Sequence, residues 1–71
     1  MIDKQEERLR IGAKLKELRE EKGLSVRQLA ELTGVNYSNI SKIESGRYSV
    51  GIDILSRITD ALGAKIEIVK D

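Results

Sequence analysis

The chain has 71 residues and contains no Cys, His, Pro, Trp or Phe. That length holds one small domain with one core, and the missing Cys and His exclude disulfides, the commonest zinc and haem sites, thiol nucleophiles and imidazole-based triads. Thirteen Lys and Arg against twelve Asp and Glu leave a net charge of +1, so whole-chain charge does not by itself announce nucleic acid.

The opening residues Met1-Ile2-Asp3-Lys4-Gln5 have neither the basic start nor the apolar stretch of an export signal. No apolar run approaches the roughly 20 residues of a membrane helix. A soluble, cytoplasmic chain with no membrane partner is expected. The first helix is expected at about 6–22, where Ile11, Leu15 and Leu18 recur at helical spacing among charged residues. The interspersed charges of Asp3 to Arg10 and Glu17 to Lys22 read as its solvated face, with no function assigned. Gly23 suits the left-handed residue that ends a helix.

Ser25-Val26-Arg27-Gln28 has the Ser-x-x-Gln form of a capping box and opens a second helix at about 26–32, with Leu29 and Ala30 on its core face. Thr33-Gly34-Val35 makes a tight turn, and Asn36 is an N-cap for a third helix at 37–44. Only Ile40 and Ile43 of that helix are strongly apolar, so it buries one narrow stripe and shows the rest. A fourth helix is expected at 52–62, with Ile52, Leu55, Ile58 and Leu62 as its stripe and Gly63 as its stop. The tail then alternates with period two, and a strand is expected at about 65–69. The expected core is Ile11, Leu15, Leu18, Leu29, Ala30, Val35, Ile40, Ile43, Leu55, Ile58 and Leu62.

Two short helices joined by a Gly-containing turn, the second rich in small polar side chains, have the layout of a helix-turn-helix. The major groove of DNA admits one such helix, and Tyr37, Ser38, Asn39, Ser41 and Lys42 supply hydrogen-bonding groups for base edges. The segment Leu24-Ser25-Val26-Arg27-Gln28-Leu29-Ala30-Glu31-Leu32-Thr33-Gly34-Val35-Asn36-Tyr37-Ser38-Asn39-Ile40-Ser41-Lys42-Ile43-Glu44-Ser45-Gly46-Arg47 resembles the phage repressor and Cro-type (XRE) helix-turn-helix family. The resemblance extends over Ile11 to Gly63, about three-quarters of the chain. It implies an all-α, four-helix, lambda-repressor-like fold together with binding to double-stranded DNA. It also implies base contacts from Tyr37, Ser38 and Lys42, beside which the polar Asn39 is placed as a further base contact. Phosphate contacts are implied at the start of the second helix, Val26 and Arg27, and along Ser45 to Tyr48, with Arg47 as the cation; Ser41 joins them from the polar face of the third helix. Arg19 and Glu44 are implied as an inward-facing ion pair between the first and third helices.

The sequence departs from that family pattern at three places. Val26 stands where many members carry a polar phosphate-gripping residue, leaving its backbone N–H, aided by the helix N-terminus, to do that work. Val50-Gly51 replaces a frequent Pro-Ser pair, and the strand-like tail replaces the usual fifth helix. A lone strand needs a partner for its backbone groups, so the tails of a homodimer are expected to pair as an antiparallel ribbon, with Ile66 and Ile68 against helical apolar surface. The expected function is a dimeric repressor reading a palindromic operator. The alternative is an antitoxin that neutralises a toxin protein and autoregulates its operon. No catalytic residue, metal or cofactor is assigned, because no acid pair shares a coherent face and no nucleophile has a base.

Overall fold

The computed structural model describes residues 3–71. Four helices follow one another: α1 (Lys4–Glu21), α2 (Val26–Thr33), α3 (Tyr37–Glu44) and α4 (Ile52–Ala61). Helix α1 begins two residues ahead of the expected start because Asp3 caps it, its carboxylate accepting from the backbone N–H of Gln5 at 2.9 Å and of Glu6 at 3.3 Å. It ends in a Schellman turn around Gly23 (φ 70°), where Leu24 N–H donates to Arg19 C=O and Gly23 N–H to Glu20 C=O. The Ser25–Gln28 capping box at the start of α2 forms in both directions, at 2.8 and 3.1 Å.

Helix α3 packs against both α1 and α2, and α2 packs also against α4. One core fills the space between them: Leu15 from α1, Leu29 from α2, Val35 from the turn, Ile40 and Ile43 from α3, and Ile58 and Leu62 from α4 and its cap. Ile11, Leu18, Ala30 and Leu55 are partly buried at its margin. Ile52 departs from the expected stripe and is 68% exposed. It occupies the first position of α4, and the buried residues of that helix, Ile58 and Thr59, lie in its second half.

Residues 64–71 carry no strand in the single chain. Alternation places Ile66 and Ile68 on one side, yet no second strand is available within the described residues to accept the tail's backbone hydrogen bonds. Ile66 instead lines a groove of about 400 Å³ with Leu15, Leu18 and Leu55, while Ile68 is 97% exposed and does not reach the helical surface. No helix is long and apolar enough to cross a membrane among the described residues.

Candidate nucleic-acid interface

The turn between α2 and α3 is set by two residues acting together. Gly34 adopts φ 72° and donates its N–H to Ala30 C=O at 2.8 Å, a left-handed conformation that favours glycine. Thr33 is buried; its Oγ1 donates to Leu29 C=O at 2.8 Å and accepts from Val35 N–H at 3.2 Å. A hydroxyl can do both at once, so the one side chain ties the last turn of α2 to a turn amide that has no backbone acceptor among the described residues. Asn36 then caps α3, accepting from Ser38 N–H at 2.8 Å and from Ser38 Oγ at 2.6 Å.

With Ile40 and Ile43 turned into the core, α3 leaves a polar outer face. Tyr37, Ser38, Lys42 and Ser45 are exposed on it, and Asn39 and Ser41 are half-buried at its two edges. Ser38 directs its hydroxyl hydrogen to Asn36, so toward an outside group it offers an oxygen lone pair. At the far end, Gly46 (φ 75°) closes a second Schellman turn, with Arg47 N–H donating to Lys42 C=O at 2.9 Å. Ser45 Oγ donates to Lys42 C=O and accepts from Arg47 Nε at 3.0 Å, which lays the exposed Arg47 side chain beside the end of α3. Tyr48 follows, 43% exposed.

The outer face is held in place from behind. Arg19 of α1 forms a two-point pair with Glu44, Nε to Oε2 at 2.7 Å and Nη2 to Oε1 at 3.0 Å, and its Nη1 donates to Leu24 C=O at 2.7 Å. Both side chains are about nine-tenths buried, at 10% and 7% exposure. The hydrogen bond to Glu44 is the main reason the Arg19 pKa is raised; burial opposes the shift and the Glu44 charge adds to it. A raised pKa means that the pair's contribution is complete below the ordinary arginine value and is lost only as pH climbs through the folded one. Arg19 is therefore charged at any working pH.

Three features of this interface are additional to the residues singled out from the sequence. Gly12 brings α1 so close to α3 that a Cβ there would lie 2.3 Å from Ile43 C=O oxygen and 2.8 Å from that of Glu44. Arg27 of α2 places its guanidinium 4.9 Å from the centroid of the Tyr37 ring. Lys16, to which the sequence reading assigns no role, lines a shallow cavity of about 260 Å³ with Arg19, Val26, Ser41, Glu44 and Ser45. The signal for Gly12 was present, since glycine inside a helical pattern is costly and asks for a packing reason. The other two depend on contacts between elements. Among the described residues, no group of three or more His, Cys, Asp or Glu converges as a metal site.

A helix-turn-helix domain family model matches residues 10–68, which takes in all of the site and most of the four helices. The chain belongs to the helix-turn-helix domain family. It is 38% identical over 61 residues to the HTH-type transcriptional regulator PuuR of Escherichia coli, a match covering 86% of this chain and 33% of PuuR. The chain thus spans about a third of that relative's length. It is 33% identical over 61 residues to the ImmF control region 10 kDa protein of Bacillus phage phi105, covering 86% of this chain and 68% of the phage protein. Among solved structures, the restriction-modification controller protein C.AhdI of Aeromonas hydrophila superposes with a TM-score of 0.80 at 32% identity, covering 83% of this chain and 89% of that one. The phage repressor and Cro-type resemblance and the all-α, four-helix class are those of this family. PuuR is a transcriptional regulator and C.AhdI a controller protein, so the family reading is one of regulators and not of enzymes.

Proposed function

We propose that this helix-turn-helix domain binds double-stranded DNA as a sequence-specific transcriptional regulator, a homodimeric repressor on a palindromic operator. The observation that carries the reading is the exposed polar face of α3, clamped to α1 through the buried Arg19–Glu44 pair. A recognition helix must be rigid relative to its phosphate contacts, because hydrogen bonds to base edges tolerate little displacement. In this reading Tyr37, Ser38, Asn39 and Lys42 face bases, and Val26, Arg27, Ser41, Ser45, Arg47 and Tyr48 face phosphates. Among the described residues, the backbone N–H groups of Val26 and Arg27 have no acceptor, as expected of the first turn of a helix, and suit a phosphate oxygen.

The tail supports the dimeric part of the proposal. Ile66 already sits in an apolar groove beside α1 and α4, and the neighbouring Ile68 and Val69 are left 97% and 77% exposed. A second copy's tail would shelter part of this surface and satisfy the backbone groups along one edge of the strand, and a two-fold axis there would carry one recognition helix to each half-site.

The test is selection from random duplexes followed by titration at several salt concentrations. An enriched palindromic motif and an affinity that falls with salt are expected. Lys42→Ala and Arg47→Ala should weaken binding, Arg47→Ala by a similar factor on all sequences with a salt slope shallower by about one. Selection that returns no motif sinks the sequence-specific reading.

A further inference from the structure

Arg27 stands in the first turn of α2 and Tyr37 is the first residue of α3, so their stack joins the leading ends of the two helices that face DNA in the reading above. The arginine has an alternative partner close by. Glu31 lies four residues along the same helix, the spacing at which opposite charges meet. Among the described residues Arg27 nevertheless makes no ion pair and no side-chain hydrogen bond, and its guanidinium lies over the aromatic ring instead. Its N–H donors are unspent, and both side chains are exposed.

This is an unusual way to hold a phosphate cation. A phosphate contact needs charge and reach, which a free side chain supplies in many orientations. Contact with a ring face narrows the orientations of a guanidinium, and a narrowed orientation matters where two parallel hydrogen bonds must form together. Guanine presents that target in the major groove, with O6 and N7 both acceptors, whereas adenine replaces one acceptor by an N–H donor and opposes the fork. We propose that the Arg27 side chain, oriented by Tyr37, reads one guanine in each half-site through O6 and N7 in place of the phosphate contact assigned to it above, so that only the backbone N–H of Arg27 still faces a phosphate. The stack is then a single specificity element built from two helices, and Tyr37 acts in part as a positioning residue for Arg27. The inference rests on the DNA-binding reading.

The test compares the full chain with Arg27→Ala, Arg27→Lys, Tyr37→Ala and Tyr37→Phe, by selection from random duplexes and by titration on the best site and its single-base variants. Arg27→Ala is expected to lose preference for one guanine per half-site by about five-fold or more, with the salt slope unchanged. Arg27→Lys keeps the charge but not the fork and should fail to restore that preference. Tyr37→Phe keeps the ring and should retain it; Tyr37→Ala should weaken it about two- to five-fold, the strength of an exposed cation–π contact. Wild-type helicity by circular dichroism in each variant secures the comparison. Uniform loss on all duplexes for Arg27→Ala, with a slope shallower by about one, would make Arg27 a phosphate contact and overturn the inference while leaving the DNA-binding reading intact. An unchanged motif overturns it in the same way. A wild-type chain with no motif overturns both.

Discussion

Replacing Gly12 by Ala tests the claim that the recognition helix is positioned by a backbone-to-backbone approach. In an isolated helix the change is favourable, by up to about 1 kcal/mol, because glycine loses more freedom on folding than alanine. Here the new methyl would meet Ile43 C=O oxygen at 2.3 Å and Glu44 C=O oxygen at 2.8 Å. Carbon and oxygen come to rest at about 3.3 Å, so α1 and the end of α3 must part by roughly 1 Å, and no rotamer can relieve a contact made by main-chain atoms. Overpacking of this kind costs about 1–3 kcal/mol, and a contact as short as 2.3 Å belongs at the upper end of that range, which leaves a net loss of up to about 2 kcal/mol after the full propensity gain. For a domain of this size that is a fall in Tm of up to roughly 15 °C, read by circular dichroism at 222 nm. Glu44 is one of the residues pushed, so the Arg19 clamp shifts too and DNA affinity should fall by more than the unfolded fraction explains. Gly51→Ala is the control for added bulk: a Cβ there meets nothing within 4 Å, at an ordinary φ of −72°, so its loss should be only the cost of Ala in place of Gly at the N-cap of α4, about 1 kcal/mol or less, with DNA affinity unchanged. A Gly12→Ala chain melting at or above wild type would refute the close-approach argument.

Arg19→Met leaves the Glu44 carboxylate buried without a partner and should cost about 3–5 kcal/mol in urea titrations, while Arg19→Met with Glu44→Leu recovers much of the loss. Because the Arg19 pKa is raised, its charge persists and the wild-type advantage over Arg19→Met should not shrink between pH 7 and 10; a clear decline in that window contradicts the geometry. Thr33→Val keeps the shape but removes the acceptor for Val35 N–H, and a loss of about 1–3 kcal/mol is expected by thermal melting, against no change if water replaces the hydroxyl. In a tail-paired dimer with Ile66 facing Ile66, Lys65 of each copy lies across from Glu67 of the other. Lys65→Glu and Glu67→Lys should then each weaken self-association while their mixture forms a heterodimer, and a chain lacking residues 65–71 that stays fully dimeric in sedimentation would place the interface elsewhere.

What could be read from the sequence was what is settled within a few residues. Ser25 and Gln28 cap each other inside one turn, and Gly23, Gly34, Gly46 and Gly63 all take a positive φ at or just after a helix end. The α4 stripe was read from period alone, and period does not say where along a helix the core begins. Ile52 shares the spacing of Leu55, Ile58 and Leu62, yet it occupies the first position of α4 and remains exposed. Alternation in the tail reports a preference for extended backbone, but a strand exists only when another chain segment accepts its hydrogen bonds, and the described residues of the single chain offer none.

The site shows the same division more sharply. The residue types on the outer face of α3 follow from its one narrow apolar stripe, because, apart from Glu44, whatever is not Ile40 or Ile43 is left to face outward or to lie at the edge of that face. Their support comes from residues far away in the chain: Gly12 and Arg19 from α1, whose partners Ile43 and Glu44 lie at the opposite end of the helix-turn-helix. Arg19 and Glu44 could be paired in advance only through the family resemblance, since nothing in their spacing distinguishes them from neighbouring Lys, Arg and Glu. Arg27 illustrates how contact changes meaning. By position it is one more cation in a first helical turn, where an acidic residue would suit the dipole better; placed over Tyr37, with Cζ 4.9 Å from the ring centroid, it becomes a guanidinium with a preferred location before any DNA arrives. Ordering already present in the free protein need not be repeated on binding, and this is why the contact with Tyr37, more than the charge, makes Arg27 a candidate reader of sequence.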